Sequence, residues 1–194
     1  MTIDTSVRRY VFSTAMLQEA LIECCCGPKV QPTVPLQVES VDFLRLRSGK
    51  PASFYSLRSI DLASMPVSIK LPSKTQPIGI EVQFTGAAVN QSSVKDQKTF
   101  TVTKTIGPSP KTLAAQQLKW TGANTVQWLA EKSDFAANLD ARVVYQLILS
   151  GSPPAAITTS NNSPLDGDGQ PRKLPSGDGN AGGDFTLQFI FSLD

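Results

Sequence analysis

The side chains that most often carry out enzyme chemistry are scarce in this sequence. The chain contains no histidine, which excludes Ser-His and Cys-His nucleophiles and acid-base catalysis by imidazole. Cys24, Cys25 and Cys26 are consecutive, so they cannot easily surround one metal ion, and we expect free thiols in a reducing compartment. The sequence therefore predicts no catalytic residue, no cofactor and no metal site.

Two weaker enzyme signals do not change this prediction. Ser92 and Lys95 have a Ser-x-x-Lys spacing, but no companion element accompanies it, and no phosphate-binding glycine loop occurs. The carboxylates that an acid-base enzyme would need are present, but no motif pairs them: Glu81, Glu131, Asp134 and Asp140. We therefore expect a protein that is not an enzyme.

An acidic, glycine-rich stretch offers oxygen ligands for a hard cation. It runs Asp166-Gly167-Asp168-Gly169, with Asp178 and Asp184 further on. A calcium loop requires a glutamate at its twelfth position, where this sequence has Gly177. A flexible polar turn is the favoured interpretation, and a divalent ion between subunits is the alternative.

Positive charge is concentrated in one part of the chain. The net charge is only +2, which is too small for global attraction to a polyanion. From residue 45 to residue 74, however, one acid, Asp61, stands among six cations: Arg45, Arg47, Lys50, Arg58, Lys70 and Lys74. A solvated basic face is the simplest interpretation. The candidates for local nucleic-acid contact are Arg8, Arg9, Arg45, Arg47, Lys50 and Arg58.

The elements that would position these residues change type along the chain. From Ser6 to Cys26 apolar residues recur at steps of three and four, which predicts an amphipathic helix ending at Gly27-Pro28. Residues 29–35 are rich in proline and predict an extended linker. We expect residues 1–35 to form an N-terminal arm and residues 36–194 one domain. No membrane span or secretory leader is predicted.

After Pro35 the apolar pattern is that of strands. About eight are predicted: Leu36–Leu46, Ser53–Leu62, Val67–Leu71, Ile78–Phe84, Thr99–Ile106, Thr125–Ala130, Ala141–Leu149 and Asp184–Leu193. Of these, Thr125–Ala130 fits a strand or a helix, and the strand is favoured. Lys111–Lys119 predicts a short helix, and Gly151–Gly183 predicts a long surface excursion. The prediction is an all-β fold, an eight-stranded jelly-roll sandwich with an N-terminal helix or arm.

The order of these features resembles the coat proteins of small icosahedral positive-strand RNA plant viruses, of the tymovirus-like and bromovirus-like kinds. The likeness covers residues 36–194. It is strongest where Asp140–Pro154 gives a penultimate strand, followed by a long connection and a final strand.

The resemblance implies a capsid protein that self-assembles into a shell around its genome. Its partners would be other copies of itself and nucleic acid, with RNA favoured and no membrane, and its place would be the virion after assembly in the host cytoplasm. Bromovirus-like coats carry a strongly basic arm, whereas this arm has only Arg8 and Arg9, so weak tymovirus-like contacts fit better. The alternative is a β-sandwich binding or attachment module that forms a small oligomer.

Overall fold

The computed structural model describes residues 34–58, 65–72, 75–131, 134–135, 143–168 and 173–193. Within these ranges the chain is nearly all β and forms one compact unit. Its strands are β1 (Gln37–Arg47), β2 (Lys50–Arg58), β3 (Val67–Leu71), β4 (Pro77–Thr85), β5 (Phe100–Ile106), β6 (Ser109–Leu113), β7 (Ala115–Trp120), β8 (Thr125–Ala130), β9 (Val144–Leu149) and β10 (Phe185–Leu193). A 3-10 turn, Gln91–Ser93, lies between β4 and β5. The predicted helix at 6–26 and residues 29–33 of the predicted linker lie outside the described residues.

The ten strands form two five-stranded sheets. Sheet 1 has the order β2-β1-β4-β8-β7, and every neighbouring pair is antiparallel. Sheet 2 has the order β3-β10-β9-β5-β6, and it is antiparallel except where β10 runs parallel to β3. The last strand therefore lies inside sheet 2, and β1 pairs directly with β4.

The two sheets pack face to face over one apolar core. The predicted alternation of residues 78–84 is confirmed, since Ile80 and Val82 are fully buried while Glu81 faces outward. Phe43 of sheet 1 contacts two rings of sheet 2, with centroid distances of 4.8 Å to Phe189 and 6.0 Å to Phe191. These contacts join the sheets into a sandwich-like unit.

Two short turns fix the register of the hairpins that matter below. β1 and β2 are joined by Ser48 and Gly49, whose φ values of 51° and 77° are typical of the type I′ turns that suit the twist of antiparallel strands. β5 and β6 are joined by Gly107, with φ of 70°, and Pro108. Each hairpin thus ends in a rigid two-residue tip.

The helix predicted at Lys111–Lys119 is wrong. The segment divides at Ala114 into strands β6 and β7, which pair with β5 and β8 in different sheets. Alanine, glutamine and lysine favour a helix locally, but pairing to two existing strands satisfies the backbone of this segment instead.

The connection from β9 to β10, residues 150–184, is more than the surface excursion predicted for Gly151–Gly183. Its apolar residues Ile157, Leu165 and Leu174 are buried in the common core. Its backbone also donates to the start of β1 and to the residue before it, from Ser176 N to Val38 O at 2.9 Å and from Asp166 N to Leu36 O at 2.8 Å. We call it the β9–β10 connection.

Candidate nucleic-acid interface

The β1–β2 hairpin brings three of the predicted contact residues together. Arg47 and Lys50 are a cross-strand pair flanking the turn, and both are exposed. Arg45 precedes them on β1 and donates a hydrogen bond from its guanidinium to Thr75 Oγ1 at 3.2 Å. Like charges directly opposite one another on neighbouring strands repel. The hairpin tip is therefore a concentrated positive charge that an anion would stabilise.

The structure does not place Arg58 with this group. Arg58 pairs with Ser40, toward the other end of β1. Its guanidinium lies 3.6 Å from the carboxylate of Asp42 and donates to Ser56 Oγ at 3.0 Å. Asp42 therefore offsets the charge of Arg58. Arg8 and Arg9 lie outside the described residues.

The hairpin tip belongs to one end of the two-sheet unit, which we call the basic end. The β9–β10 connection marks the opposite end, because it is bonded to the start of β1 and joins the end of β9 to the start of β10. The strand registers then place cations of both sheets at the basic end: Arg45, Arg47, Lys50, Lys70, Lys104 and Lys111. The described acids near this end include Glu131, Asp134 and Asp96, whose carboxylate accepts from Ala115 N, opposite Ala130, at 2.9 Å.

Lys104 contributes to this end from the inside. Its side chain is buried, Nζ donates to the carbonyl oxygen of Asp134 at 2.9 Å, and it lies 5.8 Å from the ring centroid of Tyr145. Burial lowers the pKa of Lys104, and the charge of Asp134 opposes that shift. Burial together with Asp134 also raises the pKa of Tyr145 to about 12. Lys104 therefore stabilises the segment around Asp134. Among the described cations of this end, Arg47 and Lys50 are exposed and form no ion pair with a described acid.

A groove of about 230 Å³ lies beside the hairpin, on the outer face of sheet 1. Its walls are mainly apolar, with polar groups from β7, and include Leu46, Pro51, Ile78, Gln117, Lys119 and Leu129. Gly49 of the hairpin tip also lines it. Leu46 is 49% exposed, and it is one of three exposed large apolar side chains in the described residues, with Val34 and Ile106. The groove therefore places an exposed apolar surface next to concentrated positive charge.

Sequence reasoning missed this groove for one identifiable reason. Gln117 and Lys119 reach it only because β7 pairs with β8, in the segment that the sequence predicts as a helix. The cross-strand pair of Leu46 and Pro51 supplies the opposite wall. One sequence feature could have indicated the groove. Leu44 and Leu46 alternate with Arg45 and Arg47, which predicts that the strand continues beyond the core with apolar side chains on one face.

Three acidic residues meet at the opposite end of the unit. Oxygens of Asp166, Asp168 and Asp178 lie within 4.8 Å of one another. Asp166 is fully buried, and it accepts hydrogen bonds from Asp178 N, Gly179 N and Gln37 Nε2, each at 3.0 Å. Oδ1 therefore holds a turn within the β9–β10 connection, and Oδ2 also ties that connection to Gln37 of β1.

The other acidic residues of this stretch have separate roles. Asp168 and Asp178 are exposed. Hydrogen bonds from the backbone and side chain of Asn180 lower the pKa of Asp178. Asp184 is apart from the cluster and accepts from Gly151 N at 2.9 Å and Ser152 N at 3.1 Å. The described acidic residues Asp166 and Asp184 thus accept hydrogen bonds that hold the backbone of the β9–β10 connection in place.

Of the described carboxylates that an enzyme would need, Glu81 lies apart, whereas Glu131 and Asp134 share one turn, in which Asp134 N donates to Glu131 O at 2.9 Å. Glu81 lies on the outer face of sheet 1 and accepts a hydrogen bond from Gln127 Nε2 at 2.6 Å. Glu131 follows β8, and Asp134 is 3.9 Å from Lys111 Nζ. Asp140 lies outside the described residues.

Comparisons with known proteins identify no relative. No protein-family model matches the chain, and neither a curated protein nor a solved structure matches it. In the part of the chain that the structure describes, no helix is both long enough and apolar enough to span a membrane.

Proposed function

We propose that this chain is a capsid subunit, a structural protein whose copies assemble into an icosahedral shell around a nucleic-acid genome. In this proposal the two sheets are a jelly-roll sandwich, residues 36–194 form the shell domain and residues 1–35 form an arm. The partners are other copies of the chain and, through weak local contacts, a genome that is RNA. The virion, assembled in the host cytoplasm, is its place of action.

The observation that carries this proposal is the distribution of charge over the described unit. Only 18% of the residues are charged, yet cations of both sheets collect at the basic end. A shell subunit needs low-charge sides that pack against neighbours and one surface that tolerates a polyanion. The low charge of the sequence and the cations of the basic end support the proposal.

The architecture supports the proposal in a second way. Between β1 and β10 the chain passes from one sheet to the other five times, so neither sheet can form alone. The longest described connection is held by Asp166 and by Ser176, whose Oγ accepts from Val38 N at 2.9 Å. Copies that make unequal contacts around a closed shell need a rigid body of this kind.

Electron microscopy of the purified full chain tests the proposal. We expect uniform spheres in negative stain and a single fast boundary in sedimentation, with an absorbance ratio that reports nucleic acid inside filled particles. A monomer or small oligomer at every salt concentration and pH would contradict the proposal and favour the binding module.

Two variants test the role of the basic end. Arg47→Gln with Lys50→Gln removes the unpaired hairpin charges, and we expect particles with less nucleic acid. Arg58→Gln is the matched control, because Asp42 already offsets that charge, and we expect wild-type loading. Equal loading of both variants would argue against a role for the basic end.

A further inference from the structure

We infer that the groove beside the β1–β2 hairpin binds one unpaired base of single-stranded nucleic acid, while the neighbouring phosphates contact Arg47, Lys50 and Lys119. This inference rests on the proposed function and assigns the nucleic-acid contact to a defined surface. Three observations support it: the composition of the groove, the charge beside it and the open hairpin tip between them.

The composition of the groove suits a base. Leu46, Pro51 and Leu129 provide apolar surface, and Gln117 supplies an amide that can donate and accept at a base edge. The volume of about 230 Å³ is below the ~300–1,000 Å³ of sites that hold whole drug-sized ligands. The groove therefore fits one ring system with part of its backbone outside.

The charge beside the groove suits phosphate. Among the described residues, no acidic side chain forms an ion pair with Arg47 or Lys50. These two cations face each other across the hairpin, so a phosphate between them would relieve their repulsion. Lys119 lines the groove itself. It pairs with Gln127, whose amide donates to Glu81, so the carboxylate of Glu81 lies on the same face and offsets part of this charge.

The hairpin tip connects the two surfaces. Leu46 and Pro51 are one residue from Arg47 and Lys50, about 3.4 Å along the strands, and they point to the opposite face. A bound strand must therefore cross the tip. Gly49 lies there, with open space around the position of a Cβ, and it also lines the groove.

A single strand fits this arrangement better than a duplex. Bases in a duplex are stacked and paired, so none can enter a groove without being extruded. No aromatic ring of the described residues lines the groove, so apolar contact and amide hydrogen bonds replace the stacking common in other single-strand sites. The groove and the cations contact base and phosphate, which RNA and DNA share.

Fluorescence anisotropy with the full chain tests the inference. The probes are labelled single-stranded oligonucleotides of RNA and DNA, the corresponding duplex, and long-chain polyphosphate, which has no base. Leu46→Ala changes a side chain that is 49% exposed and should disturb the fold little. We expect it to weaken single-strand binding roughly fivefold, the effect of withdrawing one or two methylene groups from contact. Its binding of duplex and polyphosphate should equal that of the wild type.

The charge variants provide the comparison. Arg47→Gln with Lys50→Gln should weaken binding of all probes and reduce the salt slope for single strands by about 1.4, because each phosphate contact contributes ~0.7. Arg58→Gln should change neither. The inference is overturned if Leu46→Ala leaves single-strand binding unchanged, weakens polyphosphate equally, or if the wild type binds no single strand. Particle formation by the same preparation decides the proposed function separately.

Discussion

Replacing Asp166 by alanine should destabilise the fold far more than its place in a glycine-rich loop suggests. The buried carboxylate accepts three hydrogen bonds and holds the β9–β10 connection on β1. Hydrogen bonds to charged groups contribute ~1.5–3 kcal/mol each. Because Asp178 and Gly179 are exposed, water partly replaces the lost acceptor. We therefore use the lower value of this range for each hydrogen bond. The expected loss is about 4 kcal/mol.

Urea unfolding followed by intrinsic fluorescence measures this loss as a lower midpoint at an unchanged slope. A chain of this length should also show a melting temperature lower by about 10 °C. Asp168→Ala is the matched control, because Asp168 is exposed in the same cluster, and it should change stability by less than ~0.5 kcal/mol. Equal stability of the two variants would refute the role assigned to the buried carboxylate.

Three further predictions follow from buried or strained positions. The pKa of Tyr145 is raised from 10.0 to about 12, so its protonated form contributes stability below pH 10 that is lost as pH rises toward 12. We expect the wild type to lose about 2 kcal/mol of unfolding free energy over this pH range. Tyr145→Phe should show no such loss when unfolding is measured against pH. Because the pKa of Lys104 is lowered from 10.5, the wild type should gain stability as pH rises toward 10.5, and Lys104→Met should flatten that rise in the same titration. Gly86→Ala should lower the free energy of unfolding in urea by about 3 kcal/mol or more, since φ is +83° and the added Cβ would meet Pro35 O. Gly107→Ala, with open space around the added Cβ, should lower it by only about 1 kcal/mol. Equal losses in the two variants would contradict the packing argument.

The strands could be predicted where one face is buried and the chain alternates. Val67–Leu71 matches β3 at both ends, and Phe185, Leu187 and Phe189 follow the predicted inward face of β10. The same alternation placed Lys104 on the inward side with Val102, where it is buried. At these positions the two-residue repeat of apolar side chains was sufficient to predict the strand, because it places them all on the face that is buried.

Information that depends on pairing partners could not be predicted. Lys111–Lys119 has local helix propensity, and only β5 and β8 convert it into two strands. In the same way, the residues of β10 do not indicate that it pairs with β3 and β9. For the candidate site, the sequence identified Arg45, Arg47 and Lys50 as a group, but it could not separate them from Arg58, whose partner Asp42 lies on the adjacent strand.

The position of β10 has a consequence for the order of events during synthesis. β3 pairs with no described strand except β10. Val67 therefore cannot pair in sheet 2 until Phe189, 122 residues later in the chain, has been synthesised. A nascent chain that lacks β10 leaves β3 and β9 as open edges and leaves Phe43 without the rings it packs on. Such long-range pairing slows folding to the millisecond-to-second range typical of β proteins. The edges of β3 and β9 therefore stay open until β10 has been synthesised and has paired with both strands.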